Sequence, residues 1–187
     1  MEKIREMMRL RYNLISRGNQ IRFKSSAESR IKELGIVIPD KPPAPKGSYT
    51  GYIKHGNLVY LAGHLPQPVV GKLYSGRLGE NMTIEQGQEA AKLCGIQLLA
   101  TLKAATNGDL DKVKKIIKLT GFINSTNDFT SQHLVLNGCS NFFYEVFGNE
   151  IGQHARSAIG TNTLPLDVPI EIEAIVEIKK ERMKKKM

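Results

Sequence analysis

Residues 168–178 read Val-Pro-Ile-Glu-Ile-Glu-Ala-Ile-Val-Glu-Ile. Val168, Ile170, Ile172, Ala174, Val176 and Ile178 occupy every second position, while Glu171, Glu173 and Glu177 lie between them. Successive side chains of a strand point to opposite faces. The run therefore predicts a strand with one dry face and one face bearing carboxylates. The dry face needs a layer to cover it, and the other face is left for solvent, a partner chain or a ligand.

The covering layer is visible upstream. Ile84, Gly87, Ala91, Cys94, Leu98 and Leu102 recur at spacings of three and four and form one apolar stripe. Thr83, followed by Glu85 and Gln86, reads as an N-cap with its capping-box partner. Asn107-Gly108 ends that helix. A second helix is expected from Asn127-Asp128 to about Phe147-Gly148, with Leu134, Phe142, Phe143, Val146 and Phe147 inward. Cys94 and Cys139 lie on these stripes, so packing is the expected role of both.

Strand-like runs occupy 49–55 and 58–64, split by the turn residues His55-Gly56-Asn57. Further strands are expected around Leu73 and Tyr74, over Ile116–Phe122, over Ala155–Thr163 and over 168–178. A short helix is expected at 27–36, with Ile31, Leu34 and Ile36 on its apolar side. The proline-rich segment 39–47 excludes regular helix or inner strand. The order of strands, helix, strand, helix and strands predicts an α+β sandwich with its helices on one face of a sheet.

A chain of 187 residues with 41% hydrophobic side chains is enough for one domain with a core. No run of about 18 apolar residues occurs, so a membrane-spanning helix is excluded. The net charge of +9 sits in the tails. Residues 1–24 hold seven basic and two acidic side chains, and residues 179–187 hold six and one. Between them, 14 basic groups face 15 acidic ones. A groove that tracks a phosphate backbone needs a basic stripe on the domain itself. Specific nucleic-acid binding is not expected. The Arg-rich start, ending Arg22-Phe23-Lys24-Ser25-Ser26, has two open readings. One is a mitochondrial presequence and the other a basic arm of a cytoplasmic protein, with Glu2 and Glu6 counting against the first.

Phosphate loops, dinucleotide turns and nucleophile elbows are absent from the sequence. His55, His64, His133 and His154 are scattered without zinc spacing, so no metal is expected. The suggestive pair is Arg156 and Glu171. If the last two strands form a hairpin with Thr163 opposite Val168, then Arg156, Ala158, Gly160 and Glu171 share one face. A one-residue slip would undo this. An Arg can grip a carboxylate through two parallel hydrogen bonds, and a Glu can orient or deprotonate water. A structural Arg–Glu pair is the other reading.

Ala155-Arg156-Ser157-Ala158-Ile159, Leu164-Pro165 and Val168–Ile175 resemble the C-terminal signature of the YjgF/RidA family. These are the reactive-intermediate (enamine/imine) deaminases, also labelled endoribonuclease L-PSP. Gly47-Ser48-Tyr49, Gly56–Pro66 and Asn127-Asp128-Phe129 resemble further family blocks in the same order. Asn137-Gly138 with Gly152–Arg156 looks most like the YjgF/chorismate-mutase-like branch. The resemblance spans residues 44–178. On that reading 1–26 is a basic extension or presequence, 27–43 a helix and connector, and 179–187 a basic tail.

The resemblance implies a chorismate-mutase-like α+β fold, a homotrimer, and ligand sites in clefts between subunits, with no cofactor. It implies that Arg156 holds a substrate carboxylate and that Glu171 positions the attacking water. Tyr49, Gly63, Asn137 and Ala158 would line the substrate pocket, Tyr49 from a neighbouring chain. The implied reaction is hydrolysis of 2-imino acids to 2-keto acids and ammonia. Two alternatives remain: a non-catalytic trimer that binds small carboxylates, and an endoribonuclease. This chain departs from the family at Ala158, where a Cys is usual, at Ala62 for Ser and at His64 for Gln.

Overall fold

The computed structural model describes residues 26–180. Residues 1–25 and 181–187 lie outside it, and with them the basic arm or presequence and most of the basic tail.

Helix α1 (Ala27–Glu33) starts at Ser26, whose hydroxyl accepts from the Ser29 amide, and buries Ala27 and Ile31. Leu34 is exposed, so the apolar side of this helix is narrower than expected. The proline-rich connector then leads to β1 (Tyr52–His55) and β2 (Leu58–His64). Gly56 closes their turn at a φ of 61°, a conformation that costs a glycine little. No strand forms at Leu73 and Tyr74. Gly71 and Gly76 flank them at φ of 118° and 142°, so the segment stays a loop.

Helix α2 (Ile84–Ala105) has the complete capping box. The Gln86 amide donates to Thr83 Oγ1 and the Thr83 amide donates to Gln86 Oε1. Such a cap stabilises a helix by about 1 kcal/mol. The expected stripe is buried from Gly87 to Leu102. Strand β3 (Val113–Asn124) follows. The second helix begins later than expected. Asn127-Asp128 lies in a turn, and two helices follow, α3 (Gln132–Val135) and α4 (Asn137–Gly152). Phe142, Phe143, Val146 and Phe147 are inward, but Leu134 belongs to the short helix and is 37% exposed.

Strands β4 (Ala155–Thr161) and β5 (Ile170–Ile178) complete a five-stranded sheet of order β1-β2-β5-β3-β4. All neighbours are antiparallel except β3 and β4. Ile170, Ile172, Ala174, Val176 and Ile178 are buried on the face that α2 covers, and α4 packs beside α2 and on β3. Both main helices cover this one face, which is the expected α+β arrangement.

The expected hairpin of β4 with β5 does not form. Strand β3 lies between them, parallel to β4 and antiparallel to β5. Residues 162–169 are long enough to step across one intervening strand, a span of roughly 10 Å between β4 and β5. The crossing is stitched by the Asn124 amide to the Pro169 carbonyl and the Ser125 amide to the Thr161 carbonyl.

Candidate active site

The strand order decides where the candidate residues point. Arg156 pairs across β3 with Leu119, which pairs with Ala174. Paired residues of adjacent strands share a face, so Arg156 lies on the helix-covered side. Its Nη1 donates to Ser140 Oγ on α4 at 2.9 Å, and its Nη2 donates to the His133 carbonyl on α3 at 3.0 Å. Ala158, two residues on, shares that face and packs against the core. Asn137 opens α4, between the two residues that hold Arg156.

Glu171 pairs with Phe122, one position out of phase with that row, and so lies on the face without helices. Arg156 and Glu171 therefore occupy opposite faces within one chain, and not the single face that a hairpin would give. Glu171 is half-buried. Burial pushes its carboxyl above the usual range, and Glu173 adds to the effect. Its carboxylate fills the space that a Cβ on Gly63 would need. Gly63 sits where the β2–β5 register shifts between Leu61 and His64.

A cavity of about 270 Å³ adjoins Gly63. It is lined by Tyr49, His64, Gln67 and Gln97 and walled by the proline-rich connector at Pro43 and Pro45. Tyr49 is exposed, and its hydroxyl accepts from the Lys46 amide at 3.3 Å. His64 is buried, with Nδ1 2.6 Å from the Ala62 carbonyl and Nε2 2.6 Å from Thr101 Oγ1. Burial lowers its pKa, against the Ala62 contact that favours the charged ring.

The candidate residues thus form two groups. Glu171 and Gly63 make one, with the Tyr49 cavity lined by Gly63 but not by Glu171, and Arg156 and Ala158 beside α3 and α4 make the other. No cluster of three or more metal-ligating side chains occurs among the described residues. No helix among them is long and apolar enough to cross a membrane.

A family model described as "YjgF/chorismate_mutase-like, putative endoribonuclease" matches residues 28–177. The chain belongs to the YjgF family. It is 40% identical over 150 residues to protein TCP17 of Trypanosoma cruzi, covering 80% of this chain and 92% of that protein. It is 31% identical over 143 residues to the 2-iminobutanoate/2-iminopropanoate deaminase of Dermatophagoides farinae, covering 76% and 95%. The crystal structure of Atu1372, a protein with unknown function from Agrobacterium tumefaciens, matches with a TM-score of 0.74 and 43% identity, covering 83% of this chain and 93% of that one.

Within this YjgF chain, sequence reasoning missed Ser140, His133 and His154 as neighbours of Arg156. His154 Nε2 is 3.0 Å from Ser140 Oγ, and its Nδ1 is 2.6 Å from the Gly152 carbonyl. One signal was available: Ser140 is a polar residue on a helix face otherwise built of Cys139, Phe142 and Phe143. Cys94 and Cys139 are fully buried, and burial raises both thiol pKa values, so neither supplies thiolate at neutral pH.

Proposed function

We propose that this protein is an enamine/imine deaminase that hydrolyses 2-imino acids to 2-keto acids and ammonia. Arg156 holds the substrate carboxylate. Glu171 orients a water and takes its proton as the oxygen adds to the C=N carbon and the nitrogen is protonated. The carbinolamine then passes its hydroxyl proton to nitrogen by way of Glu171, the C–N bond breaks, C=O forms and ammonia leaves. No cofactor takes part in this scheme. The observation that carries the reading is the half-buried Glu171 carboxylate, raised in pKa and packed on side-chain-free Gly63. A carboxyl with raised pKa is a stronger base once ionised. Relatives at about 30% identity bear the deaminase name.

Because Arg156 and Glu171 lie on opposite faces of one sheet, the reading requires a site assembled between subunits. The family homotrimer meets that requirement, with Tyr49 reaching the cleft of a neighbouring chain. The helix-free face supports it, since Ile53, Tyr60 and Ile159 expose apolar surface there. Ammonia release from 2-iminobutanoate generated in situ tests the proposal. Wild type is expected to accelerate it and Arg156→Ala is not. A second reading is a carboxylate-binding trimer without turnover, favoured by Ala62 and Ala158 in place of the usual Ser and Cys. Binding of 2-ketobutyrate with no acceleration would select it.

A further inference from the structure

The Arg156 guanidinium has no carboxylate partner among the described residues; a serine and a backbone carbonyl hold it. Ser140 is 4% exposed, so its hydroxyl has no ready exchange with bulk water. The protons in this cluster can be assigned one by one. The Gly152 carbonyl only accepts, so His154 Nδ1 carries a hydrogen. A guanidinium only donates, so Ser140 Oγ accepts from Arg156. The Ser140 hydroxyl hydrogen is then free to point at His154 Nε2, 3.0 Å away. That nitrogen must be unprotonated to receive it. The chain from Arg156 through Ser140 to His154 and Gly152 closes only with a neutral imidazole.

The surroundings favour that neutral ring. Arg156 on β4 and Lys115 on β3 are cations facing it, and the Tyr144 ring on α4 stacks on it at 5.6 Å between centroids. Burial is the largest cause holding the His154 pKa below its usual value; the Gly152 bond opposes it, and the two cations add to it. A guanidinium has five N–H donors, of which this chain and the His133 carbonyl use two. The other three make no hydrogen bond among the described residues.

We propose that Ser140 and His154 are positioning residues that aim Arg156 at the substrate carboxylate, and that protonation of His154 releases that aim. The inference rests on the reading of Arg156 as the carboxylate holder. With a proton on Nε2, the ring becomes a donor. Ser140 then faces donors on both sides, and its hydroxyl hydrogen loses its acceptor. The guanidinium is left beside a second positive charge, with its serine partner reoriented.

The test is the dissociation constant of 2-ketobutyrate for the full chain, followed by calorimetry from about pH 8 to about pH 5, the range in which an imidazole titrates. Wild type is expected to weaken as the pH falls below the ordinary histidine value of 6.5. Ser140→Ala is expected to bind roughly 3- to 10-fold more weakly at pH 8, the worth of one hydrogen bond. His154→Gln gives Ser140 an acceptor that cannot take up a proton, so, whatever its affinity at pH 8, it should lose the acid weakening. Profiles for Ser140→Ala and His154→Gln that superimpose on wild type overturn the proposal. Arg156→Ala binding as well as wild type overturns instead the reading on which it rests. The ring nitrogens of His154 give a readout without ligand. Nitrogen NMR at neutral pH should show the proton on Nδ1, and a proton on Nε2 overturns the hydrogen-bond chain.

Discussion

Glu171 and Gly63 share one space: the carboxylate of the first lies where any side chain on the second would have to be. The contact crosses from β5 to β2 at a register shift, and so fixes the carboxylate against backbone. Adding one methyl group must displace one of the two.

Gly63→Ala is therefore expected to move the Glu171 carboxylate while leaving Arg156 untouched on the other face. A displacement of about 1 Å at a reacting group can cost roughly 100-fold in rate. Turnover of 2-iminobutanoate should fall by that order. Circular dichroism of the same sample checks that the fold persists.

Glu171→Gln separates chemistry from stability. Removing the base should lower turnover by roughly 100- to 10,000-fold. The folded-state pKa of Glu171 is raised above 4.5, so the unfolded chain loses this proton first as the pH rises. The ionised group therefore costs the fold stability above that window. The variant should melt at a higher temperature than wild type near pH 7 and show no such gain near pH 4. Thermal melts at the two pH values decide it.

His64 predicts acid sensitivity. Its folded pKa lies below 6.5, so the unfolded chain binds the proton first as the pH falls through 6.5. Stability present above that value is then progressively lost below it. In His64→Gln the fall of melting temperature between about pH 7 and about pH 5 should be shallower. It should not vanish, because His154 shifts in the same direction.

Gly138 lets α4 approach α2. A Cβ there would meet the Gln88 backbone carbonyl, which cannot turn aside. Gly138→Ala should destabilise by roughly 1–3 kcal/mol, as overpacking does. At Gly121 the obstacle is the tip of the buried Leu136 side chain, 2.7 Å away, which yields by smaller shifts than a backbone carbonyl does. Gly121→Ala should cost less. Urea unfolding of both variants makes the comparison.

Much of the layer arrangement was legible from local chemistry. The alternation of β5 announced a one-sided sheet, and the Thr83 cap with the stripe from Gly87 to Leu102 announced a helix that covers it. These signals depend on residues one to four positions apart, and backbone geometry alone relates such neighbours. Chain breaks were legible where glycine or proline forced them, as at Gly56. The start of the second helix was not, because Asn127-Asp128 suits a turn as well as a cap.

Residue spacing and motifs suffice for which faces are dry, where the main helices lie and which family the chain belongs to. Tertiary structure alone decided which strands meet. Ala155–Thr161 can pair with any strand of compatible pattern, and the choice of β3 over β5 depends on contacts far away in the chain. That choice put Arg156 among Ser140, His133 and His154 and left Glu171 on the opposite face with Gly63. A side chain's face follows from its strand's local period, but its neighbours follow from the order of the whole sheet.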